Sequence, residues 1–250
     1  MDAEKKQKNT GDHAGHRERM RHRFMAEGLS AFQPHNVLEM LLFFSVPRAD
    51  TNEIAHRLLR EFGSLSGVFD APLESLKKVE GIGEHSAILI KMIPELCRRY
   101  LDDYSAAVKT IGSSEEAADY LIPKFIGYTS EIFYMLCLDN KGNIKKCSLI
   151  SEGGFNYTDA NTRKIMEEVI STNATSVILA HNHPHGVAVP SKADGAVTKQ
   201  VSELLAGIDV RLVDHIIVSG EEAFAMARNP KYAACFSSYR IIKKVSDNDF

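Results

Sequence analysis

Short apolar runs alternate with longer amphipathic stretches in the C-terminal half of the chain. The apolar runs are rich in β-branched residues and bounded by turn residues, a pattern typical of buried strands. These strands are predicted at residues 131–138, 144–150, 175–180 and 210–218. Helices are predicted at 115–121, 158–172 and 191–206, with a further helical end at 221–228. Strands that alternate with helices predict a mixed sheet with helices packed on its faces.

The N-terminal half has a different period. Apolar residues recur every three or four positions over 36–44, 51–61 and 86–101, which predicts helices separated by Pro47, Gly63 and Gly81. Asp50 or Thr51 suits the N-cap of the second helix, and Gly63 suits its C-terminal end. We therefore expect a disordered tail at 1–15, a helical domain at 16–104, a second domain at 105–228 and a C-terminal extension at 229–250.

The composition is that of an ordinary globular protein, with 250 residues of which 44% are hydrophobic and 25% charged. A net charge of −3 gives no bulk attraction to nucleic acid, although Arg17, Arg19, Arg21 and Arg23 form a small basic patch. The four cysteines form no CxxC pair, so we expect reduced thiols. No apolar stretch approaches the length of a membrane helix, and the polar N-terminus does not resemble a secretory signal. The expected location is the cytoplasm, with no membrane partner.

The most informative segment follows the strand predicted at 175–180. His181 and His183 are two residues apart, so at a strand end both side chains point the same way. Ser191 and Asp194 open the next predicted helix, where they also form a capping-box pattern. Two histidines and one aspartate leave one position of a tetrahedral Zn²⁺ open, as in hydrolytic zinc sites.

The sequence His-x-His-Pro, followed by Ser191 and Asp194, closely resembles the JAMM (MPN-type) metalloprotease motif. Together with the segment at 214–218, the motif is similar to the bacterial RadC family over roughly residues 16–220. The resemblance implies an α+β protein: an N-terminal all-α helix-hairpin-helix-like domain and a C-terminal α/β/α JAMM domain, cytidine-deaminase-like, with a mixed sheet. It also implies one Zn²⁺ per chain held by His181, His183 and Asp194.

The same resemblance assigns two further roles. Glu131 corresponds to the glutamate that activates the zinc-bound water, and Ser191 to the residue that hydrogen-bonds the developing oxyanion or holds the water. The expected reaction is cleavage of a peptide or isopeptide bond in a peptide or protein substrate, and the family name associates the protein with DNA repair. A DNA-associated module with a structural or inactive metal site, or a metal-dependent nuclease, stays as an alternative.

Residues 73–87 resemble a helix-hairpin-helix. In that motif Gly81-Ile82-Gly83 joins two helices so tightly that backbone N–H groups can hold a DNA phosphate. Lys77, Lys78 and Lys91 flank the hairpin and are its candidate phosphate contacts. Glu84 opposes DNA binding, so a packing role is favoured over a weak, sequence-independent DNA contact.

Each candidate also has a plain structural interpretation. Ser191 and Asp194 alone are a capping box, Glu131 alone is a solvated strand end, and a lone histidine is usually a hydrogen-bonded structural residue. His185 stands where RadC-type sequences usually carry serine. The alternatives are an extra ligand, a substrate contact or a neutral surface residue, and we expect the surface because the Pro184 turn should direct the imidazole away from the metal. The sequence predicts neither the substrate nor the oligomeric state.

Overall fold

The computed structural model describes residues 2–47, 49–154, 159–184 and 186–236, and the chain divides into two compact units, Met1–Leu96 and Cys97–Phe250. The division falls inside one long helix, Glu84–Ser105, whereas the sequence predicts a domain boundary near the C-terminal end of that helix. Each unit has its own hydrophobic core and is described separately.

The N-terminal unit is entirely helical among its described residues. Its helices are α1 (Asp2–Glu27), α2 (Pro34–Leu42), α3 (Thr51–Phe62), α4 (Leu65–Asp70), α5 (Leu73–Leu76) and α6 (Glu84–Ser105). The Asp50 side chain accepts a hydrogen bond from the Asn52 backbone N–H and caps α3, which ends at Gly63, so both predicted ends are confirmed. The core consists of fully buried apolar side chains from several helices, including Leu38, Leu58, Leu76 and Ile90.

The structure differs from the sequence prediction at residues 1–15. We expected a disordered tail there, but α1 begins at Asp2 and continues to Glu27. The segment is polar, yet it contains no proline, and seven of its fifteen residues are Ala, Glu, Lys or Gln, which have high helix propensity. Polar composition alone therefore did not predict the backbone conformation.

Two of the four arginines in the basic patch are used inside this unit. Arg17 Nη2 donates to the carbonyls of Val46 and Ala49, at 2.6 and 3.0 Å. Arg23 Nη2 donates to the Ala31 carbonyl at 2.5 Å, and its guanidinium carbon lies 4.8 Å from the Phe32 ring centroid. Their charge therefore serves internal packing as well as the surface.

The C-terminal unit is built on a five-stranded mixed sheet of order β2-β1-β3-β4-β5. The strands are β1 (Ile132–Leu138), β2 (Ile144–Glu152), β3 (Ser176–Asn182), β4 (Arg211–Ser219) and β5 (Glu222–Ala225). The helices are α7 (Ser114–Leu121), α8 (Asp159–Thr172) and α9 (Lys192–Ala206). β1 is antiparallel to both β2 and β3, β3 is parallel to β4, and β5 is antiparallel to β4.

Side chains alternate between the two faces of this sheet and build a separate core on each. One core joins Val177 and Leu179 of β3 to α8 and α9, through residues such as Ile165 and Val201. The other joins Ile178 and Ala180 to α7 and the turn that follows it. The result is an α/β/α arrangement, so the predicted α+β fold class is confirmed.

The predicted helical end at 221–228 is wrong. Residues Glu222–Ala225 form β5, and only Met226–Arg228 form a 3-10 turn. Gly220 and Glu221 make a tight turn after β4, so the chain folds back as a hairpin and pairs with β4. The tertiary pairing decides the conformation of this short segment.

None of the helices in the described part of the chain is both long enough and apolar enough to cross a lipid bilayer.

Candidate metal centre

The carboxyl end of β3 places His181 on the sheet face that α9 covers. His181 follows Val177 and Leu179 on this face and pairs with Phe133 of β1. The His183 backbone N–H donates to the Val218 carbonyl at 2.7 Å, so the extended conformation continues one residue beyond the strand. His181 and His183 therefore lie on one side of the chain, as their spacing predicts.

The N-terminus of α9 brings a carboxylate to the same place. Ser191 Oγ accepts the Asp194 backbone N–H at 3.1 Å, and Asp194 Oδ2 accepts the Ser191 backbone N–H at 2.6 Å. The capping box is therefore formed. Ser191 and Asp194 also line the cavity that contains His181 and His183, so the two residues can cap the helix and still take part in the site.

Three potential ligands converge between β3 and α9. The Nε2 atoms of His181 and His183 are 3.0 Å apart. Asp194 Oδ1 lies 3.2 Å from Nε2 of His181, and Oδ2 lies 3.6 Å from Nε2 of His183. Within the described residues, these three side chains form the group whose ligand atoms lie close enough to hold one metal ion.

The hydrogen bonds around the two imidazoles fit a metal ion. His183 Nδ1 is 3.0 Å from the Val187 carbonyl, which can only accept, so Nδ1 carries a hydrogen. His181 Nδ1 faces His215 Nε2 at 2.9 Å. Both Nε2 atoms are thus left to face the Asp194 carboxylate. Two imidazoles and a carboxylate gathered in this way could hold one metal ion, and this donor set is among those that zinc accepts.

The electrostatics of Asp194 agree with this arrangement. Burial acts to raise the pKa of the carboxyl, but the contacts with His181 and Ser191 outweigh it and hold the pKa below its usual value. The group is therefore a carboxylate at neutral pH, as a metal ligand must be.

Glu131 lies immediately before β1 and is exposed at the mouth of the same cavity. Its carbonyl accepts the backbone N–H groups of Gly153 and Gly154 at 2.8 and 3.2 Å, which ties the start of β1 to the end of β2. A Cβ atom placed on Gly154 would lie 2.9 Å from Glu131 Oε2. The glycine therefore leaves space that the Glu131 carboxylate occupies.

The cavity has a volume of about 320 Å³ and carries acidic and imidazole groups. Its described lining consists of Glu131, Ile132, Phe133, Gly153, Gly154, His181, His183, Ser191, Ala193, Asp194, Val197 and His215. No lysine or arginine occurs among these lining residues, so the cavity favours cations and neutral groups over phosphates.

Sequence analysis gave no role to His215 or Thr198, which the structure places directly behind the ligands. His215 is fully buried on β4, and Thr198 is fully buried on α9. Burial lowers the pKa of His215 well below its usual value, and His181 adds to this effect, so the imidazole is neutral. The pair Asp214 and His215, set between apolar residues in the middle of β4, was the signal that could have identified the first of them.

The candidate DNA-binding residues lie in the N-terminal unit. Ile82 is buried in the helical core, and Gly81 has φ +94° with the Ile54 side chain 2.7 Å from the position of an added Cβ. Lys77 pairs with Glu74 at 3.0 Å, and Lys91 donates to the Phe69 carbonyl at 2.8 Å.

Gly83 has open space around it, and Lys78 lines a surface cavity together with Arg57 and Arg60. Most of the hairpin's candidate contacts are thus committed to internal packing or ion pairing. The surface interpretation of His185 and the role of residues 237–250 both concern positions outside the described residues.

Comparison with known proteins agrees with this division into two units. Residues 111–231 match the model of a RadC-like JAB domain, and residues 12–88 match the model of the UPF0758 N-terminal family. The chain is 34% identical over 222 residues to UPF0758 protein FN0909 of Fusobacterium nucleatum subsp. nucleatum, covering 86% of this chain and 95% of the relative. The chain therefore belongs to the UPF0758 family. Its UPF0758 N-terminal domain is followed in the sequence by a RadC-like JAB domain.

Proposed function

We propose that the protein is a zinc-dependent hydrolase of the JAMM type that cleaves an amide bond in a peptide or protein, either a peptide or an isopeptide bond. The observation that carries the proposal is the convergence of His181, His183 and Asp194 beside Glu131 in one cavity. Membership of a RadC-like JAB family supports it.

The three converging side chains would hold one Zn²⁺ per chain through two Nε2 atoms and a carboxylate oxygen. A bound zinc supplies Lewis acidity at a carbonyl oxygen and lowers the pKa of a coordinated water to about 7. Three protein ligands leave one position of a tetrahedral site for that chemistry, whereas a structural zinc site is closed by four ligands.

Glu131 is the general base of the proposed reaction. Its carboxylate lines the cavity but is not one of the converging ligand atoms, so it can accept a proton from water and then deliver the proton to the leaving amine. The contacts of its carbonyl with the two glycines fix the backbone from which it reaches the cavity.

Ser191 is the proposed hydrogen-bond donor to the oxyanion. Its Oγ atom accepts the Asp194 N–H, and this contact leaves the hydroxyl hydrogen available for a donor role toward the cavity. A positioned donor of this kind typically contributes about 10²–10³ in kcat. The capping interaction holds the serine at the helix end where the developing charge would lie.

An amide fits this cavity better than a phosphodiester does. Glu131 and Asp194 give it negative charge, and the described lining offers no basic side chain to bind phosphate. The described residues also provide ligands for one metal, whereas two-metal sites are common in nucleases. The nuclease alternative is therefore disfavoured.

The proposal is tested in two stages on the full-length chain. Metal content by plasma mass spectrometry should show about one zinc per native chain and none in His183→Ala. Zinc-loaded native protein and Glu131→Gln are then compared on a quenched fluorogenic peptide library and on branched peptides with a lysine isopeptide bond.

We expect hydrolysis by the native protein and its loss, by about 10²-fold or more, in a Glu131→Gln variant that keeps its zinc. Zinc-loaded protein that cleaves neither library would refute the hydrolase and favour a structural metal site in a DNA-associated module. Folded protein that takes up no zinc would refute the metal site itself.

A further inference from the structure

His215 is a buried imidazole next to the metal centre that the proposed reaction does not use. It lies on β4, which is parallel to β3, and its ring centroid is 4.9 Å from that of His181. The Phe133 ring contacts it edge-on at 5.5 Å. A polar ring in such surroundings is costly to bury unless both nitrogens are hydrogen-bonded.

Both nitrogens do have partners. Nε2 lies 2.9 Å from His181 Nδ1, and Nδ1 lies 2.7 Å from Thr198 Oγ1. The Thr198 hydroxyl in turn lies 2.5 Å from the backbone carbonyl of Asp194. A continuous chain of hydrogen bonds therefore joins one candidate ligand, His181, to the helical turn that carries another, Asp194.

The Asp194 carbonyl, at one end of this series of hydrogen bonds, sets the direction of the first two of them. The Asp194 carbonyl can only accept, so the single hydroxyl hydrogen of Thr198 points to it. The Thr198 oxygen must then accept from His215 Nδ1–H. His181 can offer Nε2 to a metal ion only when its Nδ1 carries the hydrogen, so His215 Nε2, which lies 2.9 Å from that Nδ1, is the acceptor.

We propose that His215 and Thr198 are positioning residues that hold His181 in its Nδ1-protonated tautomer and thereby set the affinity of the site for zinc. This inference rests on the metal site of the proposed function and not on its hydrolytic activity. His215 is not itself a ligand, because its Nε2 lone pair is directed at His181.

The arrangement acts before the metal binds. Neutral histidine in water divides its proton between two tautomers, and only one of them presents Nε2 to the ligand cluster. The relay selects that tautomer and also fixes the ring plane relative to the first turn of α9. Outer partners of this kind typically contribute about 10–100-fold to metal affinity.

The first test measures zinc affinity of the full-length chain by competition with a chromophoric chelator. His215→Leu and Thr198→Val should weaken zinc binding by about 10–100-fold. His215→Gln should keep most of the affinity, because an amide can both donate to Thr198 and accept from His181. The control is Val201→Ala, which removes a fully buried side chain from the same helix without touching the chain of hydrogen bonds.

Val201→Ala should lower the melting temperature and leave zinc affinity unchanged, whereas a merely structural role for His215 predicts that affinity follows stability in all variants. Equal zinc affinity in native protein, Thr198→Val and folded His215→Leu would overturn the inference. If His215→Leu fails to fold, Thr198→Val and His215→Gln still decide the question.

The second test needs no metal. Long-range ¹H–¹⁵N NMR of zinc-free protein reports which nitrogen of His181 is protonated. We expect Nδ1–H in the native protein and a mixture of tautomers in Thr198→Val. An Nε2–H tautomer in native protein would overturn the relay even if zinc binds. Absence of zinc binding together with the Nδ1–H tautomer would refute both the proposed function and the effect on zinc affinity, and would leave only the hydrogen-bonded order of His181, His215 and Thr198.

Discussion

The Asn182 side-chain carbonyl accepts a hydrogen bond from the Ile132 backbone N–H at 2.6 Å. Its amide nitrogen donates to the Ser130 carbonyl at 3.1 Å, so one side chain holds both backbone neighbours of Glu131. Asn182 also stands between His181 and His183 in the sequence. The residue that separates the two histidines therefore fixes the position of the proposed general base relative to them.

Asn182→Ala should lower the free energy of unfolding by about 1–3 kcal/mol, because it leaves the buried Ile132 N–H without an acceptor. Zinc content should stay near that of the native protein, while hydrolysis falls. Urea unfolding and metal analysis measure these effects. The comparison variant is Asn182→Asp, which keeps an acceptor for Ile132 but places a buried carboxylate oxygen against the Ser130 carbonyl in place of the donor. Native-like stability and hydrolysis in the alanine variant would contradict this assignment.

Gly154→Ala should impair hydrolysis more than Gly153→Ala does. Both glycines have positive φ, +93° and +83°, so alanine strains the backbone at either position by a similar amount. Only at Gly154 would the new methyl group approach the Glu131 carboxylate; at Gly153 there is open space. Comparing the two variants at equal zinc loading separates strain from displacement of the base. Equal losses of hydrolysis would show that the carboxylate is not displaced.

Asp214 predicts a pH dependence of stability. Burial raises the pKa of its carboxyl, and the hydrogen bonds from Ser114, Ala227 and the His215 backbone only partly oppose this. Since the folded pKa is above the unfolded value of about 3.9, the contribution of Asp214 is complete below that pH and is lost as pH rises through the folded pKa.

Asp214→Asn should therefore gain stability relative to native protein as pH rises from about 3.5 to 7, because it keeps the acceptor for both backbone N–H groups and carries no charge. Denaturant unfolding at the two pH values measures the difference. Asp214→Ala is the control and should be less stable at both pH values, by about 1–3 kcal/mol. A stability difference between Asp214→Asn and native protein that does not change with pH would contradict this prediction.

Zinc should raise the melting temperature of the native chain. A ligand that binds only the folded state contributes about 4 kcal/mol at a free concentration 1,000 times its Kd. His183→Ala should abolish the shift. His35→Ala should retain it, since His35 stacks on His56 in the N-terminal unit and lies outside the ligand cluster. Differential scanning calorimetry with and without a chelator gives the comparison, and a zinc shift that survives in His183→Ala would place the metal elsewhere.

Local sequence signals predicted the elements that carry the candidate ligands. The apolar run before His181 and the capping pair Ser191 and Asp194 depend on neighbouring residues, and β3 and α9 form where they were predicted. β5 was predicted as a helix because four residues carry little local information and pairing with β4 determines their conformation.

Long-range contacts set the limit of sequence-based prediction here. His181, Thr198 and His215 belong to three different elements and meet only because β3 and β4 are neighbours in the sheet. The spacing of hydrophobic residues within a segment does not determine the order of strands in a sheet. The hydrogen bonds that join His181, His215 and Thr198 were therefore apparent only from the fold. The family resemblance supplied Glu131, which lies just before β1 and has no local signature of its own.

The candidate ligands all lie within residues 181–194, whereas Glu131 enters the site from the first strand of the sheet. Binding a metal and using it are therefore encoded in separate parts of the chain. A single substitution before β1 would then remove the proposed general base and leave the three candidate ligands in place. Metal content alone would therefore not report on the proposed hydrolysis.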